Sequence, residues 1–229
     1  MKIKSFGCSF IYGTDLKDVD DHKGEPYSLP SRYTWPSLLA QSANYAYECH
    51  ARPGSGNLRI LEKVLAHSME DPNCVFVIGW SWIDRFDYTT DVTTKPSHIY
   101  DVAGTSVWRT VMPVDTDHRA TVYYRELHSQ YRDTLTNLIY IKTAIDTLHQ
   151  KNIKFIMTYI DELLFEVSSA STPAVSELQN FIQPYMTKFE GKTFLDFSRQ
   201  RGFVISPTMH PLEPAHQAAF ETIKSYNLL

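Results

Sequence analysis

A serine near the start of this chain and a histidine near its end stand where a nucleophile and its base could be presented. Gly7-Cys8-Ser9-Phe10 follows directly on an apolar run, Ile3 to Phe6. A serine hydroxyl becomes a nucleophile when a tight strand-to-loop turn exposes it beside backbone N–H groups and a base removes its proton. Glycine permits such a turn; taken alone, the tetrapeptide reads as an ordinary Gly-Ser turn. Near the other end, His210-Pro211-Leu212-Glu213 opens a helical stretch. Pro211 suits the first helical turn and leaves His210 at the cap, a workable place for a general base. His216 falls inside the same helix and reads as structural. The spacing to a third ligand that a zinc site needs is missing, so no metal is expected.

Two more segments could hold developing negative charge. In Arg52-Pro53-Gly54-Ser55-Gly56-Asn57, Gly54 and Gly56 let backbone approach a ligand, and the helix that follows presents its positive end. An oxyanion hole can be built this way. Ser55 or Asn57 also suits a helix cap, and the two roles are compatible. The Gly-x-x-x-x-Gly-Lys spacing of a nucleotide loop is lacking. Gly79-Trp80-Ser81-Trp82-Ile83-Asp84-Arg85 turns abruptly polar after a third apolar run. Ser81 is a further oxyanion donor there, and Arg85 a supporting group that could hold the loop through Asp84, Asp87 or another carboxylate. Cys8 is an alternative nucleophile, although a free cysteine is more often a small buried hydrophobe. The acidic stretch Asp15 to Gly24 hints at a calcium loop. Counted from Asp18, its glycine arrives one place late and the twelfth position is Leu29, so it reads as a solvated loop near the mouth of the site.

These segments need a frame. Ile3 to Phe6, Tyr45 to Cys49, Cys74 to Ile78 and Ile153 to Thr158 are continuous apolar runs, as parallel strands covered on both faces require. Helical spacing runs over 33–42, 57–69, 122–151, 173–189 and 211–226. The alternation predicts one α/β domain over 1–229 with a central parallel sheet. Ligands bind such sheets at the carboxyl ends of the strands, where the loops beginning at Gly7, Arg52, Gly79 and Tyr159 emerge. Residues 87–121 break the rhythm and read as an irregular insertion beside the site.

Together the four blocks resemble the SGNH (GDSL-like) hydrolase family. Gly7-Cys8-Ser9-Phe10 is similar to its Gly-Asp-Ser-Leu block. Gly54 or Gly56 matches its oxyanion glycine. Gly79-Trp80-Ser81-Trp82 stands where it has Gly-x-Asn-Asp. Pro207-Thr208-Met209-His210, then Pro211 and His216, fits its Asp-x-x-His frame. The resemblance implies a three-layer, flavodoxin-like fold, Ser9 as nucleophile, His210 as base, an O-acyl ester as substrate and no cofactor. Aromatic, polar stretches such as Tyr88 to Tyr100 favour a carbohydrate-linked ester. Two departures stand out. The acid falls at Pro207, leaving Glu213 one helical turn later, or Asp161 or Glu162, to replace it. The oxyanion asparagine is Ser81, with Asn57 as the substitute donor. These departures motivate an alternative: a catalytically weak or inactive binding or structural protein on the same scaffold, for example a phage tail component. The Gly-Cys-Ser-Phe start with the Gly-Trp-Ser-Trp block resembles a divergent branch common among bacteriophage and bacterial proteins.

Bulk composition narrows the partners. The 229 residues are 43% hydrophobic and 21% charged, enough apolar content for a real core. A net charge of -4 without a Lys/Arg block argues against nucleic acid. Three cysteines cannot form a disulfide framework, and reduced thiols fit a cytoplasmic protein. No run approaches the roughly 18 apolar residues of a membrane span, and no signal peptide is read. For a phage-encoded chain the place would be the host cytoplasm or the virion. The 14 tyrosines serve an aromatic core or a sugar- or protein-binding face. The expected partner is a small-molecule or glycan ester, with a homo-oligomer or virion assembly left open.

Overall fold

The computed structural model describes residues 1–19, 29–70, 73–91, 102–103, 106–166 and 172–228. Its strands are β1 (Lys2–Gly7), β2 (Ala46–Cys49), β3 (Cys74–Trp80), β4 (Phe86–Asp91), β5 (Val102–Ala103), β6 (Ser106–Val111) and β7 (Lys154–Tyr159). Its α-helices are α1 (Ser9–Tyr12), α2 (Trp35–Ser42), α3 (Asn57–His67), α4 (His118–Val122), α5 (Gln130–Gln150), α6 (Pro173–Ile182), α7 (Phe194–Gln200) and α8 (Glu213–Ser225). The four apolar runs form one parallel sheet in the order β2-β1-β3-β7.

Period-2 alternation divides the strand side chains between two cores. Ile3, Val75, Val77 and Ile156 face one layer, where they join Trp35 and Leu39 of α2, Phe194 and Phe197 of α7, and Ala219 and Ile223 of α8. Phe6, Phe76, Ile78 and Met157 face the other, with Ile60 and Val64 of α3, Leu138 and Ile145 of α5, and Val175 and Ile182 of α6. The result is the expected three-layer α/β arrangement. The order places β1 and β3 at the centre, so the loops after them open side by side at the carboxyl edge. Among the described residues no helix is long and apolar enough to cross a membrane.

Several expected elements are corrected. The helix expected over 122–151 is three pieces: α4, a π-helical turn Tyr123–Leu127, and α5. The break falls at Ser129, which is extended and accepts from Arg132 N through its side chain, restarting the helix as an N-cap. The helix expected to reach residue 189 ends at Ile182 and passes into a 3-10 turn containing Pro184. The last helix begins at Glu213 with Leu212 as N-cap, so His210 lies before the cap rather than at it. The insertion is not irregular where it is described: β4, β6 and β5 form a separate antiparallel sheet. No apolar alternation marks it, because β4 carries a buried polar residue, Asp87, and an exposed one, Thr89, at positions of the same parity, with Tyr88 between them. Residues 92–101 and 104–105 of that insertion, and 20–28 of the acidic loop, lie outside the described residues.

Candidate active site

The Ser9 turn is shaped by two glycines. Gly7 and Gly79 pair in register across β1 and β3, and a Cβ on either would lie 2.6 Å from Cγ1 of Ile11. Only glycine leaves room for Ile11, so α1 can fold back over the strand ends. The Cys8 carbonyl accepts from Ile11 N at 3.1 Å and Tyr12 N at 3.0 Å. Ser9 is thereby the first helical residue, with an N–H that has no acceptor inside its helix. Cys8, Ser9 and Cys74 are buried, and no disulfide joins the three cysteines among the described residues.

Beyond α1 the chain turns through Gly13 and reaches Asp15, held at φ 69°. Here lies the carboxylate that the sequence frame lacked. Asp15 Oδ2 is 2.7 Å from His210 Nδ1. The same oxygen accepts from Ser206 Oγ at 2.6 Å and from Thr208 Oγ1. Ser206 Oγ in turn accepts from His210 N at 3.1 Å, and the His210 carbonyl accepts from Ser206 N at 2.9 Å. Residues 206–210 therefore form a tight turn, with Met209 at φ 71°, that aims the imidazole at Asp15. Left-handed backbone at a non-glycine residue is uncommon and concentrates at functional sites; here it occurs on both sides of one contact. Burial by itself would raise the Asp15 pKa, but hydrogen bonds from Ser206, Thr208 and His210 outweigh it and hold the carboxyl below its usual value. A carboxylate at Nδ1 fixes the proton there and leaves Nε2 as the basic nitrogen. The imidazole also packs edge-on against Phe10, the neighbour of Ser9, with ring centroids 5.4 Å apart. Among the described residues no hydrogen bond joins Ser9 to His210.

Glu213 is not the replacement acid. Its Oε1 accepts from Lys17 N at 2.8 Å, so it pins the Asp15 loop to the start of α8. Asp161 is committed as well, accepting from Ile83 N at 3.0 Å and Leu163 N at 3.1 Å, and Glu162 lies 3.8 Å from Lys188. His216 is structural: it is 1% exposed, accepts from Trp35 N at 3.2 Å, and burial depresses its pKa to about 3.

The glycine loop divides its candidates. Gly54 sits at φ 77° with open space where a Cβ would be, and among the described residues no hydrogen bond occupies its N–H. Gly56 N–H is taken by Asp87 Oδ1 at 3.0 Å. The Asn57 amide is also occupied. Its Nδ2 donates to Ser81 O at 3.1 Å and Asn137 Oδ1 at 2.7 Å, and its Oδ1 accepts from Ser81 N at 2.7 Å. The Gly56 N–H and the Asn57 side-chain amide are thus engaged in building the loop rather than open to an oxyanion. The Ser81 hydroxyl is buried without a partner among the described residues. Among the described residues Arg85 forms no ion pair with a carboxylate; its Nη1 donates to the Ser55 carbonyl at 3.0 Å. Asn137, on the distant helix α5, gave no local signal of its part in this network.

Toward β7 a groove of about 670 Å³ opens, lined among others by Trp82, Ile160, Glu162, Lys188, Asp196 and Arg199. Its charges pair across the rim, Glu162 with Lys188 at 3.8 Å and Asp196 with Arg199 at 3.6 Å. Ile160 and Leu195 belong to the apolar cluster that also contains Cys8 and Phe10, and Trp82 packs against that cluster.

Comparison with solved structures bears directly on this frame. A member of the lipolytic G-D-S-L family from Veillonella parvula aligns over 100% of this chain and 100% of its own, at 13% identity and a TM-score of 0.51. The chain has the SGNH-hydrolase fold. A carbohydrate esterase described as having divergent catalytic and non-catalytic binding functions in its active site aligns over 99% of this chain and 68% of its own, at 11% identity and a TM-score of 0.50. A carbohydrate esterase family 2 enzyme with a carbohydrate-binding domain, from Corynascus thermopiles, covers 98% of this chain and 64% of its own, at 11% identity and a TM-score of 0.50. No protein-family model and no curated protein matches the sequence. Within the SGNH fold, Ser9 follows the first strand and His210 precedes the last helix, while the carboxylate at the imidazole comes from the loop after Ser9.

Proposed function

We propose that this protein is a serine ester hydrolase whose acid has moved from the position before the histidine to Asp15. The observation that carries the reading is the 2.7 Å contact between Asp15 Oδ2 and His210 Nδ1, seated beside the turn that carries Ser9. In this reading His210 Nε2 takes the Ser9 proton as Oγ attacks the ester carbonyl. Asp15 holds the imidazole in the productive tautomer and stabilises the imidazolium. The N–H groups of Ser9 and Gly54 receive the oxyanion, with the Ser81 hydroxyl as a third donor. The tetrahedral intermediate expels the alcohol, which takes the proton back from His210. Water, deprotonated by the same imidazole, then releases the acid. The missing Ser9–His210 hydrogen bond fits a site that tightens on binding substrate. The alternative of an inactive scaffold rested on the missing acid and on Ser81 in place of the oxyanion asparagine; the Asp15 contact supports the enzyme reading on the first of these two points.

The alcohol half of the substrate is a polar, hydroxyl-bearing group such as a sugar. The groove beside the site offers Trp82 as an amphipathic surface and charge pairs as donors and acceptors; the carbohydrate esterases of the same fold agree with it. Hydrolysis of a panel of short-chain chromogenic esters and acetylated oligosaccharides tests the reading. Turnover should vanish in Ser9→Ala and in His210→Ala. Activity that survives Ser9→Ala unchanged would refute the mechanism.

A further inference from the structure

We infer that the inserted antiparallel sheet is a clamp that fixes the oxyanion loop, with Asp87, Arg85 and Thr110 as its positioning residues. This deepens the hydrolase reading and rests on it. The residues that surround Gly54 are gripped from β4 and β6, not from the parallel sheet alone. Asp87 Oδ1 accepts from Gly56 N at 3.0 Å and from Thr110 Oγ1 at 2.6 Å, and its Oδ2 accepts from Arg59 N at 2.9 Å. Arg85 Nη1 reaches the Ser55 carbonyl at 3.0 Å. Asp87 thus sits against the first turn of α3 as a carboxylate at a helix N-terminus, where orphan N–H groups and the helix dipole both favour negative charge.

The fit is close enough to dictate sequence. A Cβ on Gly56 would meet Asp87 Oδ2 at 2.6 Å, so glycine at 56 is needed to admit the carboxylate rather than to bind substrate. Asp87 is 5% exposed, and Thr110 supplies the donor that a second strand must bring. Gly54 itself has no packing neighbour where a side chain would be. Its N–H direction is therefore set by its chain neighbours, and those are what the clamp holds. An oxyanion donor works only when it is preorganised at the position the charge will occupy, and a displacement of about 1 Å can cost about a hundredfold in rate. The insertion is then part of the catalytic frame and not an ornament on it.

The test uses Arg85→Ala and Thr110→Val, each of which removes one grip without removing a buried carboxylate, together with Asp87→Asn. Active sites are counted by stoichiometric labelling of Ser9 with a fluorophosphonate, so that kcat refers to folded, competent enzyme. A positioning role predicts that kcat per labelled site falls about tenfold in Arg85→Ala and Thr110→Val, and about a hundredfold in Asp87→Asn. KM for a small ester should stay within about twofold, and the labelling rate should fall by the same factor as kcat. Amide exchange over residues 53–57 should accelerate in all three variants. A merely structural role would lower the melting temperature while leaving kcat per labelled site and the labelling rate at wild-type values, and that result overturns the clamp. If the wild type turns over no ester, or Ser9→Ala retains turnover, the hydrolase reading fails. The exchange measurement then decides the clamp by itself: unchanged exchange over 53–57 in Arg85→Ala and Thr110→Val rejects it.

Discussion

Asp15 and Asp87 each gather three hydrogen bonds, yet the protein tunes them in opposite directions. Asp15 receives two hydroxyls and an imidazole at the surface, and its carboxyl is held below the usual range. Asp87 receives two backbone N–H groups and one hydroxyl in a sealed corner, where burial raises its pKa despite those bonds. The number of partners is the same. What differs is access to water, because desolvation penalises the charged form more steeply than neutral donors repay it. In the proposed mechanism the half-buried Asp15 carboxylate would steady the His210 imidazolium. The sealed one is fitted to hold backbone in place. A count of hydrogen bonds alone would not have separated the two roles.

That contrast predicts which substitution harms chemistry alone and which harms the fold as well. The largest effect should come from Asp15→Asn, which removes the carboxylate and misdirects the imidazole tautomer. kcat on a short ester should fall about 10³-fold or more, equivalent to roughly 4 kcal/mol, with the melting temperature nearly unchanged. Asp87→Ala should cost stability as well as rate. It strands buried N–H groups and should reduce unfolding stability by roughly 2–4 kcal/mol in a denaturant titration. Equal stability losses in the two variants would erase the comparison.

A smaller effect follows from His216, the buried counterpart of His210. Burial depresses its folded pKa to about 3, below the ordinary imidazole value of 6.5, so between those values the unfolded chain binds a proton that the folded chain refuses. Stability should therefore rise with pH across that window, by up to about 1.4 kcal/mol per pH unit from this one group. His216→Asn should flatten that slope when stability is measured from pH 4 to 7. The smallest effect belongs to Ser206→Ala and Thr208→Val. Each leaves the Asp15–His210 contact but removes one donor that lowers the Asp15 pKa. Activity should fall only several-fold, about 1 kcal/mol, and the acid limb of the pH–rate profile should move upward. A profile that stays in place would show that the hydroxyls do not tune the carboxylate.

Some of this design could be read along the chain. The apolar runs at 3–6, 45–49, 74–78 and 153–158 predict buried parallel strands, and the sheet contains all four within a residue or two. The glycine after β1 and the histidine before α8 were legible because local turn chemistry marks them. Helix α7 escaped notice although Thr193 and Asp196 form a capping pair, with Asp196 N donating to Thr193 Oγ1 at 3.3 Å. That signal was present and short. The antiparallel sheet is not marked along the chain because its strands interleave apolar residues such as Val107 and Val111 with Asp87, Thr89, Thr90, Arg109 and Thr110 in no clean alternation.

The amino-acid sequence by itself determined the layer order and the two ends of the site, since periodicity and turn residues act over a few neighbours. Only the tertiary structure decided which carboxylate faces His210. Asp15 and His210 are 195 positions apart, and nothing local to either marks the other. Beside the histidine along the chain stand Pro207 and Glu213, but the partner arrives from the loop after α1, where α8 packs against α2 and Glu213 accepts from Lys17 N. The fate of the glycine loop was decided in the same way. Whether a donor at 54, 56 or 57 remains free depends on Asp87 and Asn137, which reach it from the inserted sheet and from α5. Spacing reports what a segment can offer; which of its groups are already taken is set by long-range packing.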